Sequence, residues 1–309
     1  MSQALQEQFM RAIALHQQGK LQEAQSLYES ILKRQPKNAD ALHLLGLIAS
    51  QSSQSERAVE LISRAIAISP NNPGFYINLG NALQALDKLE EAATSFERAI
   101  RLQPSIPEAH FNLGNALHTL DKLEAALSSF NRAIQLKSDY ADAYNNRGRV
   151  LQALGKFDEA LLSYDKAIKL SPQLAEAHNN RGLALSSLSR LDEALVSYGQ
   201  AVQLNSRYKE AFYNAGNALL MLKRYSQSIS ALNRAIALDV KYVSAYYSLG
   251  IALHSSNYFA SAVVSYDAAI SIAPDQPSLY HGRGNSLLGL KKFESAIKDY
   301  KRVLDLDQD

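Results

Sequence analysis

Nine asparagines in this chain stand beside glycines in a recurring setting. Asn78, Asn112, Asn146, Asn180 and Asn214 lie two residues before a glycine, and Asn81, Asn115, Asn217 and Asn285 lie one after. The segment NLGNAL occurs identically at residues 78–83 and 112–117, with the variant NAGNAL at 214–219. An asparagine side chain carries the same amide as a peptide bond, so its donors and acceptor can pair with the backbone of an extended chain of any sequence. Positions three apart share a helix face, and this face points away from the stripe that holds Tyr76 and Leu83. Each asparagine inside a helix costs ~0.6 kcal/mol relative to alanine, so nine forgo roughly 5 kcal/mol. That is comparable to the net stability of a small domain. Two uses could offset it: the amides hold the backbone of a ligand, or they bond neighbouring units and cap local backbone.

Other chemistry is missing from the pattern. The seven histidines (His16, His43, His110, His118, His178, His254 and His281) form no HExxH and no pair four apart, so no metal site is expected. Cysteine is absent, which removes thiolate nucleophiles and disulfides. No glycine-rich phosphate loop follows a strand, no catalytic constellation emerges, and no cofactor is called for; the chain is not expected to be an enzyme. A net charge of +2, from 32 basic and 30 acidic residues, gives no field to hold a polyanion, and nucleic acid is not an expected partner. The N-terminal MSQALQEQFM lacks the basic and apolar regions of a secretory signal. The longest apolar stretch, at 41–49, is far short of the ~20 residues of a membrane span. A cytoplasmic location is predicted.

The elements that position the asparagines follow from a period. Steps of 34 residues connect Gly46, Gly80, Gly114, Gly148, Gly182, Gly216, Gly250 and Gly284, eight of the 14 glycines, and one step back lands on Ala12. Twelve residues after each glycine stands alanine, as in Ala58, Ala92 and Ala126, with Ser228 the exception. Four further on comes a large residue (Tyr28, Ile62, Phe96, Phe130, Tyr164, Tyr198, Leu232, Tyr266, Tyr300), and proline often closes the unit, as at Pro36, Pro70, Pro104, Pro172 and Pro274. Each unit reads as two helices joined by a polar break such as LDK at 86–88. Small columns mark close helix approach and large columns fill the gaps between. In the second unit Ser52 and Ser55 replace leucines, which predicts a less tightly joined hairpin.

This combination resembles the tetratricopeptide repeat, over essentially the whole chain. The resemblance implies an all-α fold, a right-handed superhelical solenoid of helix-turn-helix repeats. It would form a single array over 1–309, with repeats at 5–38, 39–72, 73–106, 107–140, 141–174, 175–208, 209–242, 243–276 and 277–309. In that family the asparagine side of the first helix lines a concave groove. The column two before glycine also resembles that of the nucleocytoplasmic O-GlcNAc transferases, whose repeat domain holds protein substrates with asparagines there; Leu44, Ser248 and Gly282 depart from it. The peptide-binding residues so implied are Asn78, Asn81, Asn112, Asn115, Asn146, Arg149, Asn180, Asn214 and Asn217, with Phe111, Tyr213 and Tyr247 as aromatic anchors.

His110 and His178 occupy a column where sister units have tyrosine, and core packing is expected of them. Arg147, Arg181 and Arg283 replace the leucine before the glycine and are expected to act as struts between helices, Arg283 with Asp299. Two functional classes follow. The first is a protein-interaction scaffold that takes an extended polypeptide in its groove. The alternative is the substrate-recruiting arm of a longer glycosyltransferase of the O-GlcNAc transferase or SPINDLY type. The ending KRVLDLDQD, without a polar capping helix, predicts an apolar edge at Tyr300, Leu304 and Leu306 that self-associates or is covered by a further domain.

Overall fold

The computed structural model describes residues 3–306; the last three residues of the ninth predicted repeat lie outside them. The chain divides into two compact units, one ending at Leu154 and one beginning at Gly155. The first holds α1 (Gln3–Gln17), α2 (Leu21–Arg34), α3 (Ala39–Gln51), α4 (Ser55–Ile68), α5 (Pro73–Gln84), α6 (Leu89–Leu102), α7 (Pro107–Thr119), α8 (Leu123–Leu136) and α9 (Ala141–Ala153). The second holds α10 (Phe157–Leu170), α11 (Ala175–Ser187), α12 (Leu191–Leu204), α13 (Lys209–Met221), α14 (Tyr225–Leu238), α15 (Val243–Ser255), α16 (Phe259–Ile272), α17 (Pro277–Gly289) and α18 (Phe293–Leu306). No strand occurs among the described residues, and none of their helices is long and apolar enough to cross a membrane.

The starts of the helices follow local chemistry. Proline opens α5, α7 and α17, where its missing N–H costs nothing. Asn38 and Asn72 cap α3 and α5 by accepting from Ala41 N at 2.9 Å and Gly74 N at 3.0 Å. Between the two helices of each hairpin stands a residue in the left-handed region, at the same register every time: Gly19, Ser53, Asp87 and Asp121 in the first unit, Ser189, Lys223, Asn257 and Lys291 in the second. The following N–H then reaches back to a carbonyl in the last turn, as Lys88 N does to Leu83 O at 3.0 Å and Arg224 N to Leu219 O at 2.8 Å.

Helix pairs close over the glycine column. A Cβ placed on Gly80 would lie 2.5 Å from the Phe96 ring, and one on Gly182 would lie 2.5 Å from the Tyr198 ring, so in these hairpins the large residue of the second helix sits where the first helix has no side chain. The second hairpin is not looser, contrary to the expectation from Ser52 and Ser55. Ile62 is fully buried, and a Cβ on Gly46 would lie 2.7 Å from it, so this contact holds the pair without the turn leucines.

Successive hairpins are tied by side chains that the register makes equivalent. Tyr76 Oη donates to Pro70 O at 3.1 Å and Tyr280 Oη to Pro274 O at 2.8 Å. His110 and His178 do the same from Nε2, to Pro104 O at 3.0 Å and Pro172 O at 3.1 Å, which goes beyond packing. The arginine struts are present. Arg181 bridges Asp165 at 2.7 Å and Ser197 at 2.8 Å; Arg283 bridges Asp267 and Asp299, the latter only 5% exposed; Arg147 reaches Asn131 at 3.4 Å.

Within each unit the odd-numbered helices also touch one another: α3 with α5, α5 with α7 and α7 with α9, then α11 with α13, α13 with α15 and α15 with α17. They form one layer and the even-numbered helices the other. On α18, Phe293, Ile297 and Leu304 are exposed, at 59%, 53% and 62%.

Candidate functional site: an amide face on the first helices

The asparagines lie on the odd-numbered helices, and the amides of several join one of these helices to the next, whereas Asn285 Oδ1 accepts from Tyr300 Oη at 2.8 Å within its own hairpin. In the first unit Asn112 Nδ2 donates to Asn81 Oδ1 at 2.9 Å, and Asn146 Nδ2 donates to Asn115 Oδ1 at 2.8 Å. Asn78 Nδ2 lies 2.8 Å from His43 Nε2. An amide nitrogen only donates, so the imidazole accepts there and carries its proton on Nδ1. Burial lowers the His43 pKa to about 4, against the opposing pull of Asp40, and keeps the ring neutral at pH 7. In the second unit Asn214 Nδ2 donates to Asn179 Oδ1 at 3.0 Å.

These rungs leave hydrogen-bonding capacity pointing outwards. Asn81 and Asn115 accept through Oδ1, and their Nδ2 hydrogens are not consumed by those bonds. Asn112 keeps its Oδ1 and a second N–H. Each such pair presents a donor beside an acceptor, which is what one peptide unit of an extended chain requires. Asn78, Asn112, Asn115, Asn146, Asn214 and Asn217 are half-buried and Asn81 is exposed, whereas Asn180 is 9% exposed.

The aromatic side chains of the face are partly buried and stacked. Phe111 packs on Tyr140 with centroids 4.8 Å apart and on Phe130 at 5.9 Å, Tyr213 on Tyr242 at 5.0 Å, and Tyr247 on Tyr266 at 6.1 Å. Burial, helped by Glu108 and Asp142, pushes the Tyr140 hydroxyl up to about 12, so it stays protonated. Arg149 is exposed, and its charge adds to burial in lowering the pKa of His118, with Asp121 opposing. No group of three or more metal-ligating side chains occurs among the described residues.

Family models cover nearly the whole chain. Those described as tetratricopeptide repeat match residues 9–73, 77–141, 175–208, 243–276 and 277–309, and one described as TPR repeat matches 148–189 and 216–257. The chain belongs to the tetratricopeptide repeat family. Among solved structures this tetratricopeptide repeat protein is similar to MamA, at 30% identity and a TM-score of 0.50, over 52% of this chain and 94% of that one. It is similar also to YrrB, described as a TPR protein with an unusual peptide-binding site, at 25% identity and a TM-score of 0.51, over 64% of this chain and 98% of that one. The Cut9–Hcn1 hetero-tetramer of APC/C shares the fold, with a TM-score of 0.64 over 86% of this chain and 52% of that one, at 17% identity. Among curated proteins none matches the sequence.

Two rung members, His43 and Asn179, are not among the implied peptide-binding residues, although both stand in the groove column three before the glycine that also holds Phe111, Tyr213 and Tyr247. A signal for both exists in the register. The partner of each asparagine is 31 residues earlier where that residue is asparagine, as for Asn112 and Asn146. Where leucine stands there instead (Leu47 for Asn78, Leu183 for Asn214), the partner is the polar residue 35 earlier.

Proposed function

We propose that the protein is an interaction scaffold that holds an extended polypeptide along its amide face. The observation that carries this reading is the paired amides of Asn112 with Asn81, with a donor and an acceptor left over on a partly open surface, and of Asn146 with Asn115, where the Asn115 amide keeps its donors and Asn146 Oδ1, which accepts from Asn145 Nδ2 at 3.4 Å, keeps one lone pair. Backbone pairing of this kind supplies affinity without demanding a sequence, and the half-buried rings of Phe111, Tyr213 and Tyr247 offer apolar edges that add preference. The likeness to YrrB supports a peptide ligand.

The test is to select dodecapeptides from a random library on the wild-type protein and to measure them against Asn81→Ala with Asn115→Ala. Each lost hydrogen bond is worth ~1 kcal/mol, or about fivefold in affinity, so the double variant should bind more than tenfold more weakly while keeping its helical signal. Unchanged affinity together with a lower melting temperature would assign the amides to packing alone.

A further inference from the structure

The position just before the repeat glycine holds arginine or leucine at every repeat glycine but Gly216, and a cleft stands there. In the second unit each strut is an arginine just before the repeat glycine, with one partner sixteen residues before it and another sixteen after: Asp165, Arg181 and Ser197, and Asp267, Arg283 and Asp299. Around Gly216 the three positions hold Gly199 of the sixth repeat and Ala215 and Ala231 of the seventh. Repeats without the arginine elsewhere put leucine in the middle position, as Leu113 and Leu249, both buried. Here neither filler is present, and α12, α13 and α14 line an open cleft of about 740 Å³, within the range of ligand sites.

The cavity has an apolar wall and a one-sided charge. Leu195, Val202, Phe212 and Leu219 line it, and none of the ladder asparagines does. Arg234 is the one charged lining residue among those described, and it is exposed and makes no ion pair within the described chain. Its counterparts are engaged: Arg98 lies over the Tyr76 ring at 5.9 Å, and Arg302 pairs with Asp275 at 3.6 Å. Two repeat lengths before Asp275 the sequence has Arg207, so the register position at which Arg302 finds its acid holds a second cation for Arg234.

We propose that this cavity is a second docking site, which takes an apolar side chain flanked by a carboxylate on a protein partner. The apolar wall buries the side chain, and Arg234, with Arg207 in the register position of an acid, pairs the carboxylate. The probe is acetyl-Gly-Phe-Glu-Gly-amide, titrated into the methyl-labelled full chain with the Leu195, Val202 and Leu219 methyl signals followed by NMR. Saturable shifts confined to those methyls are expected.

Binding should fall about fivefold or more in Arg234→Gln, and equally when the peptide carries Ala for Phe or Lys for Glu. The variant Gly199→Asp with Ala215→Arg and Ala231→Ser rebuilds the strut of the sister repeat; it should fold and abolish the shifts. Asn81→Ala with Asn115→Ala should leave them intact, which separates this site from the amide face. No saturable shift in the wild type at millimolar peptide, or undiminished binding in Arg234→Gln or in the rebuilt strut, overturns the proposal. Binding of 3-phenylpropionate without binding of the peptide overturns it as well, because the cavity would then serve a small carboxylate.

Discussion

At the scale of single residues, the amide rungs decide what the conserved-looking register can do chemically, and one rung contains a titratable group. His43 accepts from Asn78 only while neutral, and its folded-state pKa of about 4 lies below the usual histidine value near 6.5. The unfolded chain therefore takes up the proton first. Stability from this site is complete above pH ~6.5 and is lost as pH falls from there towards 4. In His43→Asn the rung becomes an amide pair like that of Asn214 with Asn179, which has no titration. Thermal melts at pH 7 and pH 4.5 should show a larger loss for wild type than for His43→Asn; equal losses would exclude His43 as the cause. The asparagine face itself was legible in the sequence, because residues three apart on a helix must share a side. The rung partners were less so, because the rule that chooses between positions 31 and 35 residues back shows only once the bonds themselves are seen.

At the scale of the element, a hairpin depends on matched positions. Arg283 holds Asp299 with two bonds, at 2.8 and 2.6 Å, and the carboxylate is 5% exposed. Arg283→Leu strands that charge and should destabilise by ~3 kcal/mol or more. Adding Asp299→Ser recreates the leucine and serine that Leu113 with Ser129 and Leu249 with Ser265 already show in other hairpins, and should recover most of the loss. Urea melts of the two variants check this; a double variant as weak as the single would mean that the strut carries more than charge compensation. The small-against-large contact of glycine and aromatic was legible, since a residue as poor in helices as glycine recurs only where something fills its space. The left-handed turn was hidden, because Lys223 and Lys291 adopt it beside Asp87, Asn257 and Gly19. A lysine does not advertise a positive φ, and the closing hydrogen bond from the next residue holds the turn whatever side chain stands there. The cavity was equally invisible, being made of side chains that are small only by comparison with their sisters.

At the scale of the molecule, the ties between hairpins keep register with the 34-residue period, the amide rungs reaching 31 or 35 residues back and the Tyr–Pro ties six, so the removal of one whole period should leave the others matched. Excising residues 78–111 joins Ile77 to Asn112 and leaves a single NLGNAL, with Asn112 where Asn78 stood beside His43 and Phe130 beneath Gly114 as Phe96 lies beneath Gly80. The shortened chain should fold with the same helical signal per residue. With no native cysteine to interfere, His43→Cys with Asn112→Cys should be joined by a short bismaleimide in the shortened chain and not in the full one. Failure to fold, or crosslinking in neither chain, would show that hairpins of this array are not interchangeable. The same tolerance has a genetic side. Coding sequence for two identical hexapeptides in one reading frame is a natural substrate for unequal crossing-over, and the product would be a protein with one hairpin fewer or one more and its rungs still closed. Length in such an array should then change in steps of one period, because a shift of any other size places leucines opposite amides.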